Sequence, residues 1–437
     1  MNENIKLLAD RLPYPVGIVL ARIPMSWRIG KSYNYFLDQM KMPLVQMRHV
    51  QRNQINEIIN FSLKNISFYK LYYKKYGLNV NILSSLNDLE MLPLTTKKDL
   101  QNFHLDDRSD KNLALKKTNT GGSTGQPLDF YIEKTAYARE WAHMHAIWGK
   151  LGYHFSDMKL TIRGKNIGSV FYKYNFNQNE FLVNAYSPLN VNIDSCRDLI
   201  VKKNIKWIHG YPSSIFSFLR ELERVDSILF EILIKKIRGV FLSSEFPAPR
   251  YRNYIENHCG LKTISWYGHS EMAILAPEKE PGSGVYYPFH SYGYAEAVKD
   301  GESYKLVATS MYNYATPFIR YDTGDLIEPN FEDGLLKSFR IKEGRNSDYV
   351  IDHNDREISL TGLIFGRHHK AFEHCEHVQV RQVKPGSIEI LVTAHEMRNN
   401  WFDLFDFSNT FFDVTYTQID SPVRTSIGKV QLLLRQG

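Results

Sequence analysis

The chain has 437 residues, 43% hydrophobic and 23% charged, which suits more than one packed core and excludes a disordered or fibrous protein. Its 54 Lys and Arg against 47 Asp and Glu leave a net charge of +7. That charge is scattered rather than gathered into a basic run, so the composition excludes a dedicated nucleic-acid binder and suits anionic small ligands. The three cysteines, Cys196, Cys259 and Cys375, are too few and too far apart for a secreted disulfide framework, and a reducing cytoplasm fits them. The most hydrophobic N-terminal stretch, Val16 to Ala21, lies between Pro15 and Pro24. No segment approaches the ~20 apolar residues of a spanning helix. A cytoplasmic protein with no membrane span and no nucleic-acid partner is expected.

In chain order, residues 1–110 mix basic and aromatic side chains at helical spacing, as in Tyr69, Tyr72, Tyr73 and Tyr76 around Lys70, Lys74 and Lys75. They predict a helical entry region whose tyrosines pack on the main body. From Lys111 short apolar runs (Trp207-Ile208, Ile237 to Leu242, Thr263 to Trp266) alternate with helical stretches, which predicts α/β layers over 111–347. A boundary is expected near Gly344 to Asp348. Beyond it Tyr349 to Ile351, Val378 to Val380 and Ile388 to Val392 read as strands of a small α+β domain over 348–437. No internal repeat or low-complexity tract is present. The expected fold class is therefore multidomain α/β: a large N-terminal part of layered sheets and helices with a small, mobile C-terminal α+β domain.

The most informative segment runs Thr118-Asn119-Thr120-Gly121-Gly122-Ser123-Thr124-Gly125-Gln126-Pro127 and leads into the strand-like Leu128 to Ile132. Its glycines let backbone N–H groups converge on a phosphate, and the hydroxyls of Thr120, Ser123 and Thr124 add donors. Taken alone it reads more often as a glycine- and serine-rich hairpin loop. A P-loop is disfavoured, because Gln126-Pro127 stands where its lysine would follow and the proline blocks an immediate helix.

The loop resembles the phosphate-binding signature of the acyl-CoA synthetase and adenylation-domain superfamily of adenylate-forming enzymes. Three further segments resemble that superfamily's motifs in the same order: Trp266-Tyr267-Gly268-His269-Ser270-Glu271, Tyr321-Asp322-Thr323-Gly324-Asp325-Leu326, and Gly344-Arg345-Asn346-Ser347-Asp348. Within it the phenylacetate:CoA ligase-like branch, associated with capsular polysaccharide biosynthesis, is the most similar. Ser67-Phe68-Tyr69, Leu86 to Leu89, Leu92 to Lys97 and Gly210-Tyr211-Pro212-Ser213-Ser214 carry that likeness.

The resemblance implies an ATP-dependent carboxylate ligase that forms an acyl-adenylate, releases pyrophosphate and passes the acyl group to CoA, with an amine or sugar hydroxyl as the alternative acceptor. Positive charge and positioning dominate such a reaction, since two anions must meet. By matched position, Thr120, Gly121, Gly122, Ser123 and Gly125 bind the nucleotide phosphates and Thr124 joins the catalytic set. Glu271 is the catalytic carboxylate and Mg²⁺ ligand, the hard cation preferring oxygen. Tyr267 stacks on adenine, with Gly268, Ser270, Ser244 and Glu245 beside the base. Asp325 accepts from both ribose hydroxyls, and Arg345 serves ribose or phosphate. Asp348 is the hinge. Pro422-Val423-Arg424-Thr425-Ser426-Ile427-Gly428-Lys429 resembles the terminal Gly-Lys motif, which makes Lys429 the residue bridging carboxylate and α-phosphate.

Weaker signals surround these. Trp141 and His145, four apart on a helix, together with Tyr211 and Ser213, are candidates for an acyl pocket, with core packing the competing reading. His143 and His145 make no convincing metal pair, and His258, Cys259 and His290 lack the cysteines of a zinc site. The histidine-rich segments Gly366 to Lys370 and Glu373 to His377 read as a solvated helical face. A nonenzymatic nucleotide-binding scaffold and a phosphate-releasing kinase or ATPase are the competing functions.

Overall fold

The computed structural model describes residues 13–77, 84–120, 128–163, 167–245, 247–343, 349–365, 367, 369–375, 377–394, 396–423 and 431–434. The entry region is helical, as its periodicity predicts. Helix Leu44–Asn65 buries Met47, Gln51, Ile55, Ile58, Ile59 and Ser62, the three- and four-residue spacing of one helical face. Helix Ser67–Lys75 buries Phe68, Tyr69, Tyr72 and Tyr73, while Tyr76 is exposed. The Tyr69 hydroxyl donates to Pro317 O at 2.9 Å and accepts from Ile319 N–H at 3.1 Å, which pins this helix to the chain just before the Tyr321 motif. A Thr96–Asp99 capping box starts helix Lys97–Gln101. On its N-terminal side, Thr95 N–H donates to Arg320 O at 2.8 Å and Asp322 N–H to Thr95 O at 3.0 Å.

An antiparallel hairpin of β1 (Ala114–Asn119) and β2 (Asp129–Glu133) flanks the glycine-rich loop. The central sheet follows. Its strands are β3 (Met158–Arg163), β4 (Tyr172–Asn175), β5 (Glu180–Asn184), β6 (Ile205–Gly210), β7 (Gly239–Leu242), β8 (Thr263–Gly268) and β9 (Leu275–Pro277), in spatial order β4-β5-β3-β6-β7-β8-β9. Strands β5, β3, β6, β7 and β8 pair in parallel, and the edge strands β4 and β9 are antiparallel. The apolar runs predicted as strands in this region lie in β6, β7 and β8. One face packs Leu160, Ile162, Val183, Ile208 and Val240 against helices Leu189–Lys202, Pro212–Val225 and Ser227–Lys236. The other packs Trp207, Phe241 and Ile264 beneath Met144, Ile147 and Trp148 of helix Ala136–Gly149. Trp148, Phe241 and Trp207 stack in sequence, with centroids 4.9 and 5.2 Å apart.

Strands β10 (Gly293–Asp300), β11 (Ser303–Ser310), β12 (Tyr321–Glu332) and β13 (Leu335–Glu343) form an antiparallel meander. Past it, β14 (Tyr349–Ile351) pairs with β15 (Glu357–Ser359), and β16 (His377–Lys384), β17 (Ser387–Thr393), β18 (Asp413–Gln418) and β19 (Leu433–Leu434) make a second four-stranded sheet in order β18-β17-β16-β19. This last part has its own core, centred on Val350, Leu363, Val378, Ile390 and Trp401, to which the upstream Tyr186 contributes.

On the helix-covered face of β3, Lys159 is 1% exposed. Burial pushes its ammonium down to about 8, with Arg163 and Arg28 adding to the effect and Glu180 opposing it. A lysine whose folded pKa lies below its unfolded value weighs against folding wherever it is charged. Stability therefore rises with pH between about 8 and the ordinary lysine range. In urea titrations at pH 7 and pH 10, the unfolding free energy of the wild type should gain ~2 kcal/mol relative to Lys159→Met. An unchanged difference between the two proteins would show that the ammonium is not desolvated.

Candidate active site

In parallel α/β sheets ligands sit outside the carboxyl ends of the strands, above all where successive connections leave in opposite directions. Here β3 has β5 on one side and β6 on the other, so that point lies between β3 and β6. Arg163 ends β3, Gly210 ends β6, Ser243 and Ser244 follow β7, and Tyr267 and Gly268 end β8. Gly210 cannot carry a side chain, because a Cβ there would lie 2.0 Å from Ile162 O. Ser244 has φ 65° and Met272 φ 56°, left-handed conformations that non-glycine residues hold only where their surroundings impose them.

The two motifs around Tyr267 and Asp325, 58 residues apart, meet directly. The Tyr267 hydroxyl donates to Asp325 Oδ2 at 2.7 Å, and the Tyr267 ring packs edge-on against Phe339 at 5.4 Å. The same segments meet again at Glu271. Its Oε1 accepts from the Tyr321 hydroxyl at 3.1 Å, and its Oε2 lies 3.0 Å from His269 Nδ1. A carboxylate accepts, so His269 carries its proton on Nδ1, and its buried Nε2 has no partner among the described residues. The Phe130, Phe318 and Tyr321 rings, at 5.5 and 5.1 Å, connect the glycine-loop hairpin to this hub.

Glu245 is bonded to two serines from distant segments. Its Oε2 accepts from Ser213 Oγ at 2.8 Å and from Ser213 N–H at 3.3 Å, and its Oε1 accepts from Ser359 Oγ. Burial raises its carboxyl above the ordinary range, against these hydrogen bonds. It therefore ties the start of helix Pro212–Val225 to β15. Arg250 pairs with Glu357 across the same contact, and the Arg356 guanidinium donates to Tyr186 O at 2.6 Å. A shallow cleft runs between these parts, lined by Asn184, Tyr186, Phe218, Glu221 and Arg356 among others.

The structure places the other candidate residues as follows. Thr120 is 5% exposed, and its hydroxyl accepts the Leu128 N–H at 2.9 Å while its own N–H donates to Leu128 O at 3.0 Å. It closes the neck of the loop. Gly268, the last residue of β8, and Ser270, on the turn after it, are exposed. Trp141 and His145 do come together, ring centroids 5.7 Å apart, and each reaches Trp148 at 5.8 Å. His145 Nδ1 lies 2.8 Å from the Tyr33 hydroxyl, and burial lowers its pKa to about 3. Tyr211 is buried at the cap of helix Pro212–Val225, and Ser213 is fully buried with its hydroxyl on Glu245. His143 is a core histidine, bonded to Arg139 O and Ser291 Oγ, both at 2.8 Å. His258 Nε2 lies 2.8 Å from Glu223.

The histidine-rich segments are only partly solvated: Lys370, Glu373 and His374 are exposed, whereas Arg367 and His369 are interior. Arg367 and His369 are 7% and 4% exposed; His369 Nε2 donates to Leu363 O at 3.0 Å and Nδ1 accepts from Asp406 N–H at 2.9 Å. Gly121, Gly122, Ser123, Thr124, Gly125, Arg345, Asp348 and Lys429 lie outside the described residues. The sequence reading passed over Arg163, His209 and Ser243. The available signal was the polar alternation Lys159, Thr161, Arg163 inside an otherwise apolar strand.

For the Mg²⁺ that the resemblance implies, Glu271 offers a buried carboxylate, and among the described residues no cluster of acids, histidines or cysteines could cage a metal alone. That fits a cation that keeps its waters and takes its other ligands from phosphates.

No family model matches the chain. Protein CapK of Staphylococcus aureus is 25% identical over 351 residues, which cover 76% of this chain and 75% of CapK. Among solved structures, 2-hydroxyisobutyryl-CoA ligase in complex with 2-HIB-AMP and CoA in the thioesterification state aligns over 91% of both chains with a TM-score of 0.57 and 17% identity. The same ligase in the postadenylation state with R3-HIB-AMP aligns over 91% of both chains with a TM-score of 0.55 and 14% identity. The protein, whose motifs already resembled that superfamily, has the fold of the adenylate-forming ligases.

Proposed function

We propose that the protein is an ATP-dependent carboxylate ligase: it joins an acid to AMP with release of pyrophosphate and then passes the acyl group to CoA, in polysaccharide or secondary metabolism. The observation that carries this reading is the direct bonding of the Tyr267 and Asp325 motifs, repeated at Glu271 and Tyr321, beside the carboxyl ends of the central strands. A protein that only needs the fold has no use for a buried carboxylate in that hub. The complexes with acyl-AMP and CoA named for the similar ligase support CoA as the acceptor over an amine or a sugar hydroxyl.

In the first half-reaction, a carboxylate oxygen of the acid attacks the α-phosphorus of ATP. The bond to the β-phosphate oxygen breaks, and pyrophosphate leaves with the electron pair. The glycine-rich loop, with Gly121, Gly122, Ser123, Thr124 and Gly125, supplies N–H and hydroxyl donors to the phosphates, and Lys429 neutralises charge between the acid and the α-phosphate. Mg²⁺, held through Glu271, supplies further charge neutralisation when bound. Asp325 holds the ribose hydroxyls, its orientation set by the Tyr267 hydroxyl. Asp348 and Arg345 belong to the hinge region, which turns the small domain for acyl transfer.

Carboxylate-dependent exchange of pyrophosphate into ATP, run over a panel of acids with and without CoA or amines, tests the proposal. ATP binding with no acid supporting exchange would favour the scaffold reading, and release of inorganic phosphate would favour an ATPase. Within that assay Asp325→Asn should raise the KM for ATP about tenfold with a smaller change in kcat, the loss of one charged hydrogen bond. An unchanged KM would remove Asp325 from the ribose site.

A further inference from the structure

A central strand of a parallel sheet is covered on both faces and ordinarily carries apolar side chains throughout. Strand β3 departs from this. Lys159, Thr161 and Arg163 alternate along it and so share one face, the face beneath helix Ala136–Gly149. Packing does not account for them, since a buried cation costs free energy unless it is paired. Two of them are satisfied inside the protein. Lys159 Nζ donates to Gln178 O at 2.5 Å and lies 3.3 Å from the Tyr153 hydroxyl, and Thr161 Oγ1 donates to Glu180 Oε2 at 2.6 Å.

Arg163 is different. Its contacts are Nη2 to His209 Nε2 at 2.7 Å and Nη2 to Ser243 Oγ at 3.4 Å, and no carboxylate among the described residues pairs with it. A guanidinium only donates, so His209 Nε2 accepts and the imidazole proton sits on Nδ1. Burial, reinforced by Arg163 and Lys159, holds that ring well below the ordinary histidine range, so it is neutral. Two buried nitrogens are left without partners among the described residues: Arg163 Nε and His209 Nδ1. Arg163 is partly exposed and ends its strand at the place where the connections diverge, and the aromatic rings of Trp148 and Trp266 flank His209 at 5.1 and 6.1 Å.

Resting on the ligase reading above, the geometry points to a subsite for a second carboxylate of the acid being activated. The guanidinium of Arg163 receives that carboxylate, His209 and Ser243 hold the guanidinium in place, and the substrate class is a dicarboxylic acid. A planar guanidinium matches the geometry of a carboxylate and rejects a methyl or phenyl terminus, which would leave the cation unpaired.

The test uses matched pairs of acids: butyrate with glutarate, hexanoate with adipate, and phenylacetate with 4-carboxyphenylacetate. Binding without ATP is read by calorimetry and activation by pyrophosphate exchange, on the wild type, Arg163→Gln and Arg163→Lys. In at least one pair the wild type should prefer the diacid by about 100-fold in kcat/KM, Arg163→Gln should collapse that ratio about 30-fold, and Arg163→Lys should restore part of it. The ratio separates recognition from general damage, because a variant that merely folds poorly loses both members of a pair together.

If the wild type activates monoacids as well as their diacid partners, or Arg163→Gln lowers both equally, the subsite is overturned and the ligase reading stands. Diacid binding that depends on Arg163, with no exchange for any acid, keeps the subsite and sinks the ligase reading. Absence of both diacid binding and diacid exchange overturns the subsite.

Discussion

Replacing Glu271 with Gln is expected to lower the kcat of carboxylate-dependent pyrophosphate exchange by about 10²- to 10³-fold, the size of loss that follows removal of one preorganised charge from a transition state. Gln has nearly the same shape and keeps an oxygen to accept the Tyr321 hydroxyl, whose bond to Glu271 measures 3.1 Å. It cannot offer a second anionic oxygen to His269 Nδ1, now at 3.0 Å, and it is a poor ligand for a hard cation. The fold should survive, since the substitution is nearly isosteric and keeps the bond from Tyr321, so the melting temperature should stay within a few degrees. Two readouts divide the outcomes. A large fall in kcat, partly relieved by raising Mg²⁺, identifies Glu271 as the metal-linked carboxylate. A loss below about threefold at saturating ATP would leave it a structural acceptor for Tyr321 and return the catalytic role to other groups.

The parts of this architecture that were legible beforehand are those in which local sequence carries the constraint. The tyrosine spacing over 69–76 predicts one buried helical face, and Tyr69, Tyr72 and Tyr73 do face inward while Tyr76 is exposed. The runs at 207–208 and 263–266, and residues 239–242 of the run 237–242, are strands because short β-rich segments between turn signals have few other ways to be buried. Residues whose surroundings are made by distant segments were not legible. Arg163 meets His209 across 46 residues, and Glu245 meets Ser359 across 114, so nothing near Glu245 in sequence announces that Ser213 and Ser359 occupy its carboxylate. The segment around His369 was misread for a related reason. Histidines are usually exposed, but His369 has both ring nitrogens engaged by backbone groups of Leu363 and Asp406, and a fully satisfied imidazole can be interior.

Arg252 is where the largest loss of stability is expected. It sits on the short helix Pro249–Asn253 and grips Glu278 with both arms, Nη1 to Oε1 at 2.8 Å and Nη2 to Oε2 at 2.7 Å, while its Nε reaches Glu256 at 3.1 Å and Thr263 Oγ1 at 3.0 Å. Glu278 is 0% exposed and also accepts backbone N–H groups of Ser265 at 3.0 Å and Gly284 at 2.7 Å. The pair therefore fastens β8 to the segment that follows β9, and β8 carries Trp266 and Tyr267 to the site. Arg252→Met removes the cation but leaves the carboxylate buried, and breaking a buried pair from one side costs ~3–5 kcal/mol. A domain stabilised by ~5–15 kcal/mol would lose a large share of its margin. Urea unfolding should show that loss with an unchanged m-value, and a decrease below ~1 kcal/mol would mean that the N–H donors alone suffice for Glu278. Adding Glu278→Leu should not rescue the single variant, because the N–H groups of Ser265 and Gly284 would then be the buried groups without partners, and each such group carries its own desolvation cost of ~1–3 kcal/mol. The same double variant should raise the KM for ATP, since the strand that presents Tyr267 loses its anchor on the side away from Asp325.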